Sequence, residues 1–356
     1  MLPVMVSGSP DPPRITRPGV VMPVRRDPAG RRGPTPGQAR GPGWRQTSWG
    51  FHVPSWVDRS VPEQRIVEAA AVLPAYGGVT GWAALRWWGG VWFDGLAVDG
   101  VTKLPVVLAV SECDIRCQPG IEVSAEALDP RELASVDGLR LTTVERALIF
   151  EVRYARDERT AAVMVDMAAY SDLVDLVTLT SYVSRQPALT GIPQARRAVA
   201  LAEENSWSPW ESRMRLAWEL DAGLPRPLCN IPVFDRSGRH LGTPDLLDPE
   251  AGLVAEYDGG LHLLGRQRRH DRDREEEFRR HGLEYLTVLG GDVLDGAHLA
   301  SRIHRVRARA RFEAESARSW TTEPPPWWVP TATVEQRRRL TDRQQARLLR
   351  LRRRTG

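Results

Sequence analysis

Residues 243–262, reading TPDLLDPEAGLVAEYDGGLH, set carboxylates inside what otherwise reads as a buried β-hairpin. Apolar runs and turn chemistry predict a strand over 243–247, a turn over 248–252, and a second strand over 253–258 that opens on three apolar residues. Side chains alternate faces along a strand, so Glu256 and Asp258 share a side, and pairing can bring Asp245 to that side as well. Converging carboxylates repel one another and resist desolvation unless a guanidinium or a hard divalent cation sits among them. A magnesium-type site is one reading of this pattern. A sheet edge with Glu256 and Asp258 in water is the other.

Downstream, Gly259 and Gly260 break the strand, a helix is predicted over 266–281 with Gly282 as its stop, and a further strand follows over 283–289. Gln267, Asp271, Arg274 and Phe278 recur at spacings of three or four, so they share a helix face. If Phe278 turns that face inward, Asp271 and Arg274 are carried toward the sheet; a solvated, salt-bridged helix is the alternative. Upstream, Ser208-Pro209-Trp210-Glu211 opens another helix running to residue 220, with Ser208 as cap and Pro209 in the first turn. Glu211 near that helix start has an ordinary explanation in the helix dipole.

Taken together, Glu211, Pro244-Asp245, Glu256-Tyr257-Asp258-Gly259, His262, Asp271-Arg272-Asp273-Arg274 and Gly282 resemble a family of restriction-endonuclease-like domains of unknown function. That family is related to very-short-patch-repair endonucleases within the PD-(D/E)xK superfamily. The resemblance covers about residues 205–300. It implies an α/β fold with a central mixed sheet flanked by helices, and Asp245 and Glu256 as a metal-binding acidic pair for Mg²⁺ or Mn²⁺. It also implies Glu211 as the acidic residue of the first helix. The superfamily pattern ends in a lysine where this chain has Asp258, and Lys103 is the only lysine in the sequence. An arginine such as Arg274 does not deprotonate, although it can stabilise charge on a phosphate. His262 can move a proton; an exposed loop histidine is the competing reading. Thr287 stands where many members of that family carry arginine.

The 356 residues suggest two folded domains, with 42% apolar content sufficient for ordinary cores. Residues 1–50 hold ten prolines and eight glycines and are expected to be disordered, with no signal-peptide core. Residues 51–204 read as a mostly helical α+β domain, with a helix from residue 62, strands over 103–110 and 139–142, and helices from Val144, Arg159, Leu176 and Pro193. Its runs GVTGWAAL from Gly78 and VDGLRLTTVERAL from Val136 resemble a domain of AbiEi-type antitoxins, without the N-terminal winged helix of those proteins. That resemblance implies a toxin or defence-system partner. Trp82, Trp87, Trp88 and Trp92 are spaced as core residues or as a stacking platform. Residues 205–310 form the nuclease-like domain, and 311–356 a Pro/Trp linker with a basic helix.

Net charge is +4, but residues 1–50 carry +6 and residues 331–356 carry +7, leaving −9 on the body between them. The overall basicity therefore does not by itself argue for a nucleic-acid face; the tails can attract phosphate, or remain solvated, or meet an acidic partner. Cys113, Cys117 and Cys229 lack zinc-ligand pairing and fit a reducing cytoplasm. No run is long enough to span a membrane. The leading expectation is a metal-dependent endonuclease acting on DNA, in which Asp245, Glu256, Asp258, His262 and Arg274 do the chemistry and Glu211, Asp245 and Glu256 hold the metal. The alternative is a non-catalytic antitoxin-like or DNA-binding regulator on a degenerate nuclease fold.

Overall fold

The computed structural model describes residues 15–111, 115–187, 189–259 and 265–355, with the side chains of 265–271 and 353–355 excepted. The chain is a mixed α/β protein with several mixed sheets. It divides between Glu151 and Val152, inside helix α3 (Val144–Tyr154). Among the described residues no helix is long and apolar enough to cross a membrane.

Unit 1 holds β1 (Val24–Arg25), β2 (Trp44–Ser48), β3 (Phe51–Pro54), α1 (Pro62–Ala70), β4 (Gly78–Thr80), α2 (Gly81–Trp87), β5 (Val106–Ala109), β6 (Ile121–Ser124), β7 (Leu133–Val136) and β8 (Leu139–Thr142). Its five-stranded sheet runs β6-β5-β4-β8-β7, with β4 parallel to β8 and β5 parallel to β6. Trp82 and Trp87 are core residues rather than a platform: both are buried, and their indole N–H groups donate to the carbonyls of Pro105 and Val136. Trp88 likewise donates to Thr142, and Trp92 stays exposed.

The expectation of disorder over residues 1–50 needs correction for its described part. A three-stranded sheet of order β1-β3-β2 uses Val24, Arg25 and residues 44–48. Side chains supply the order that hydrophobic periodicity lacks. Asp27 accepts from the backbone N–H groups of Ala29, Arg31 and Arg32, and Gln64 clamps both the N–H and the carbonyl of Val21.

Unit 2 begins with α4 (Glu158–Tyr170), α5 (Leu176–Arg185) and α6 (Ile192–Leu201), then α7 (Pro209–Leu216) with a π-helical turn over Ala217–Asp221. By sequence these helices group with residues 51–204; in the structure they fall in unit 2, where α4 packs against α6 and α7, and α5 against α6. A fully buried pair ties α4 to α7: Arg215 of α7 lies 3.0 Å from Asp166 of α4, and its second nitrogen reaches Glu219 and the Leu201 carbonyl.

Strands β9 (Leu228–Cys229), β10 (Val233–Asp235), β11 (His240–Gly242), β12 (Leu246–Asp248) and β13 (Leu253–Asp258) follow. Helix α8 (Gly265–Arg280), β14 (Glu284–Leu289), α9 (Gly290–Leu294), α10 (Gly296–Arg307), β15 (Trp320–Thr321), α11 (Val334–Arg338) and α12 (Asp342–Thr355) complete the unit. The four-stranded sheet has the order β14-β13-β12-β9, antiparallel except for the parallel β13–β14 pair. Strand alternation makes two cores from it. Cys229, Leu246, Ala255 and Leu286 pack with Met214 and Trp218 beside α7 and with Leu299 and Ile303 of α10. Leu247, Val254 and Tyr285 pack with Phe278 of α8. Gly242 permits that second core, because a Cβ there would lie 2.7 Å from the Phe278 ring.

The basic C-terminal segment is two helices rather than one, since Thr341 and Gln344 exchange cap bonds between them. Nor is it a free cationic tail. Arg337 is buried against the Asp172 carboxylate and the Ala169 carbonyl, Arg338 pairs with Asp175, and Arg352 donates to the Tyr170 carbonyl. Removing one member of a buried ion pair leaves an uncompensated charge, so Arg215→Ala is expected to lower stability by about 3–5 kcal/mol. Urea unfolding checks this, with the exposed Arg339→Ala as a control that leaves the midpoint in place.

Candidate active site

The register of β12 against β13 decides which acids meet. Leu246 pairs with Ala255 and Leu247 with Val254, so one step further Asp245 faces Glu256. The same row extends to Thr287, which pairs with Glu256, and to Asn230, whose backbone N–H donates to the Asp245 carbonyl. Alternation turns Asp245 and Glu256 to the side of the sheet that α8 covers. The hairpin that sequence patterning predicts is therefore present, with its first strand shifted to 246–248, and its opposed acids lie on one face.

Both are buried, at 7% and 6% exposure, and each is held by hydrogen bonds. Asp245 Oδ2 accepts from the Tyr257 backbone N–H at 2.7 Å. Glu256 Oε2 accepts from the Arg274 guanidinium and from the Tyr285 hydroxyl, each at 2.5 Å. Arg274 thus reaches the sheet from α8, as the inward-facing helix requires. Its guanidinium charge also acts favourably on Asp245.

Glu211 arrives from α7. Ser208 caps that helix, accepting from the Glu211 N–H at 3.2 Å, while the Glu211 carboxylate folds back to accept from the Trp207 N–H at 2.8 Å and from Asn230 Nδ2 at 2.7 Å. Glu211 is thus a capping residue, and it also belongs to the acidic group electrostatically. Burial above all, then the charges of Glu211 and Glu256, push the Asp245 carboxyl well above the usual aspartate range. Burial raises Glu211 likewise, against the lowering effect of the Asn230 bond. Burial and the neighbouring Glu256 charge raise the Tyr285 phenol, which keeps it a hydroxyl donor.

Asp258 ends β13 half-buried, on the Glu256 side by alternation. His262 lies outside the described residues, as does the Asp271 side chain. Two site residues escaped the sequence reading. Tyr285 had a signal, since it precedes Thr287 by two and so shares its face. Asn230 had a weaker one: it takes a left-handed conformation, φ 49°, that asparagine tolerates and that turns its amide toward Glu211.

Among the described residues no group of three or more His, Cys, Asp or Glu side chains is gathered tightly enough to hold a metal ion. The donor chemistry nonetheless suits magnesium, which keeps several waters and takes one or two carboxylates rather than a full protein cage. Asp245 and Glu256 offer two carboxylates opposed across adjacent strands, and Glu211 acts electrostatically on Asp245. Comparisons with protein-family models, with curated proteins and with solved structures find no match for this chain.

An acid with a raised folded pKa keeps its proton to higher pH than in the unfolded chain, so its contribution to stability falls as pH rises from the ordinary aspartate range. Asp245→Asn keeps an acceptor for the Tyr257 N–H and removes that dependence. Its melting temperature, compared with that of the parent protein, is expected to coincide near pH 4 and to rise above it progressively toward pH 8. Parallel melting curves across this range would show that Asp245 does not carry the strain assigned to it.

Proposed function

We propose that unit 2 is a metal-dependent phosphodiesterase of the endonuclease type acting on DNA in the cytoplasm, in a repair or phage-defence setting with a toxin or other defence protein as partner. The observation that supports it is the opposed, buried Asp245–Glu256 pair, a like-charge arrangement that a hard cation relieves. Asp245 and Glu256 would hold Mg²⁺ or Mn²⁺, and Glu211 would lend its charge from α7. The ion supplies Lewis-acid polarisation of the phosphate and a water of lowered pKa. Tyr285 fixes the Glu256 carboxylate by its hydroxyl bond, and the Tyr257 amide fixes Asp245. Arg274 offers a permanent cation for charge that develops on the phosphate oxygens. Asp258, at the end of β13 on the Glu256 side, would complete the shell of the ion directly or through waters, and His262 would transfer a proton.

The Arg274–Glu256 ion pair favours a second reading, in which the guanidinium is the neutralising cation and the domain is a non-catalytic antitoxin-like or DNA-binding regulator. Metal uptake separates the two. On the hydrolytic reading, calorimetry detects Mg²⁺ or Mn²⁺ binding, and the protein nicks plasmid or mismatched duplex in its presence. Glu256→Gln and Asp245→Asn then each reduce cleavage on the order of 100-fold or more. Cleavage that survives both substitutions, or a protein that takes up no divalent ion, rules the assignment out.

A further inference from the structure

A second site in unit 2 shares no residue with the acidic one. His240 and residues 327–351 enclose a cavity of about 470 Å³, within the roughly 300–1,000 Å³ typical of small-ligand pockets. One wall is aromatic. The His240 and Trp328 rings lie 5.0 Å apart, Trp327 meets Trp328 at 5.7 Å, and Phe234 backs Trp328 at 5.1 Å. Burial pushes the His240 imidazole below its usual range, and its Nε2 is 3.1 Å from Thr243 Oγ1, so this wall presents a neutral ring.

The other wall comes from Leu340, Leu348 and Leu351, with Arg347 and Arg350 of α12 among the lining side chains. These arginines are three residues apart on one helix, and among the described residues no carboxylate lines the cavity. Among the described residues Arg347 makes no ion pair, unlike Arg337 and Arg338 earlier in the same segment. Trp327, moreover, lines the cavity while 58% exposed, which leaves part of its indole accessible to a ligand.

Flat rings facing leucine side chains suit a planar aromatic group, and two exposed guanidinium forks suit the oxygens of a phosphate. We infer that this cavity binds a nucleoside monophosphate, the base against Trp327 and Trp328 and the phosphate on Arg347 and Arg350. The nucleotide is either free or the 5′ end of a strand, which present the same chemistry. The inference stands apart from the phosphodiesterase reading, because it uses none of that site's residues and needs no metal.

The test is calorimetric titration of the full chain, in EDTA, with AMP, GMP, CMP and dTMP, with the matching nucleosides, and with trinucleotides carrying or lacking a 5′ phosphate. Saturable binding of at least one phosphorylated probe is expected. The double variant Arg347→Gln/Arg350→Gln, which alters only exposed side chains, weakens it tenfold or more at an unchanged melting temperature, and Trp327→Ala weakens it comparably. Mononucleotide binding as tight as that of the phosphorylated trinucleotide assigns the free nucleotide, and binding of the trinucleotide alone assigns the strand end; both uphold the site. The inference is overturned if no phosphorylated probe binds at millimolar concentration, if nucleosides bind as tightly as nucleotides, or if the double variant binds unchanged.

Discussion

Two carboxylates facing each other across adjacent strands are the constraint around which unit 2 is organised. A one-residue slip of β12 against β13 would bring Leu246 in place of Asp245 to the side that α8 covers, and would strip the first core of its central leucine. Hydrophobic register and acidic pairing therefore specify the same alignment. The charges are then contained by fixed donors: the Tyr257 amide on Asp245, the Tyr285 hydroxyl and the Arg274 guanidinium on Glu256, and the Asn230 amide on neighbouring Glu211. Each comes from a different element, so the site forms only when α7, α8 and the sheet have all docked.

Much of this was legible because the local signals agreed with one another. The strand over 253–258, the helix stopped by Gly282 and the Ser208 cap follow from alternation and punctuation, and the structure has all three; helical spacing left Arg274 either inward or solvated, and it bonds Glu256. Trp82 and Trp87, spaced either as core or as a stacking platform, are core. What was not legible depends on side-chain bonds between residues far apart in sequence. Nothing periodic marks residues 15–50, whose order comes from Asp27 and Gln64. The Asp166–Arg215 pair that ties α4 to α7 was equally hidden, because a lone aspartate in one helix and a lone arginine in another carry no sign of being partners. Asn230 reached the site through an unusual backbone angle rather than through any motif.

With one lysine in the whole chain, nearly every structural cation is a guanidinium, and the fold uses its geometry. Arg215 serves a carboxylate, a second carboxylate and a carbonyl at once, and Arg337 a carboxylate and carbonyls. An ammonium could not span such divergent acceptors from one rigid plane. This is why the net basicity of the C-terminal segment says little about polyanions: several of its charges already have intramolecular acceptors, and two others, Arg347 and Arg350, line the aromatic cavity.

The bonds from Arg337 to Asp172 and from Arg352 to Tyr170 close sequence separations of 165 and 182 residues. Contacts of that span are entropically dear to form early, so helices α11 and α12 should join last, after the helical layer that accepts them exists. Arg352 also stacks on Tyr170 and Trp207, and its charge is felt at Glu211. The last helices to join thus also bring a positive charge to Glu211, which makes the full electrostatic setting of the acidic site contingent on the arrival of the most distant part of the chain.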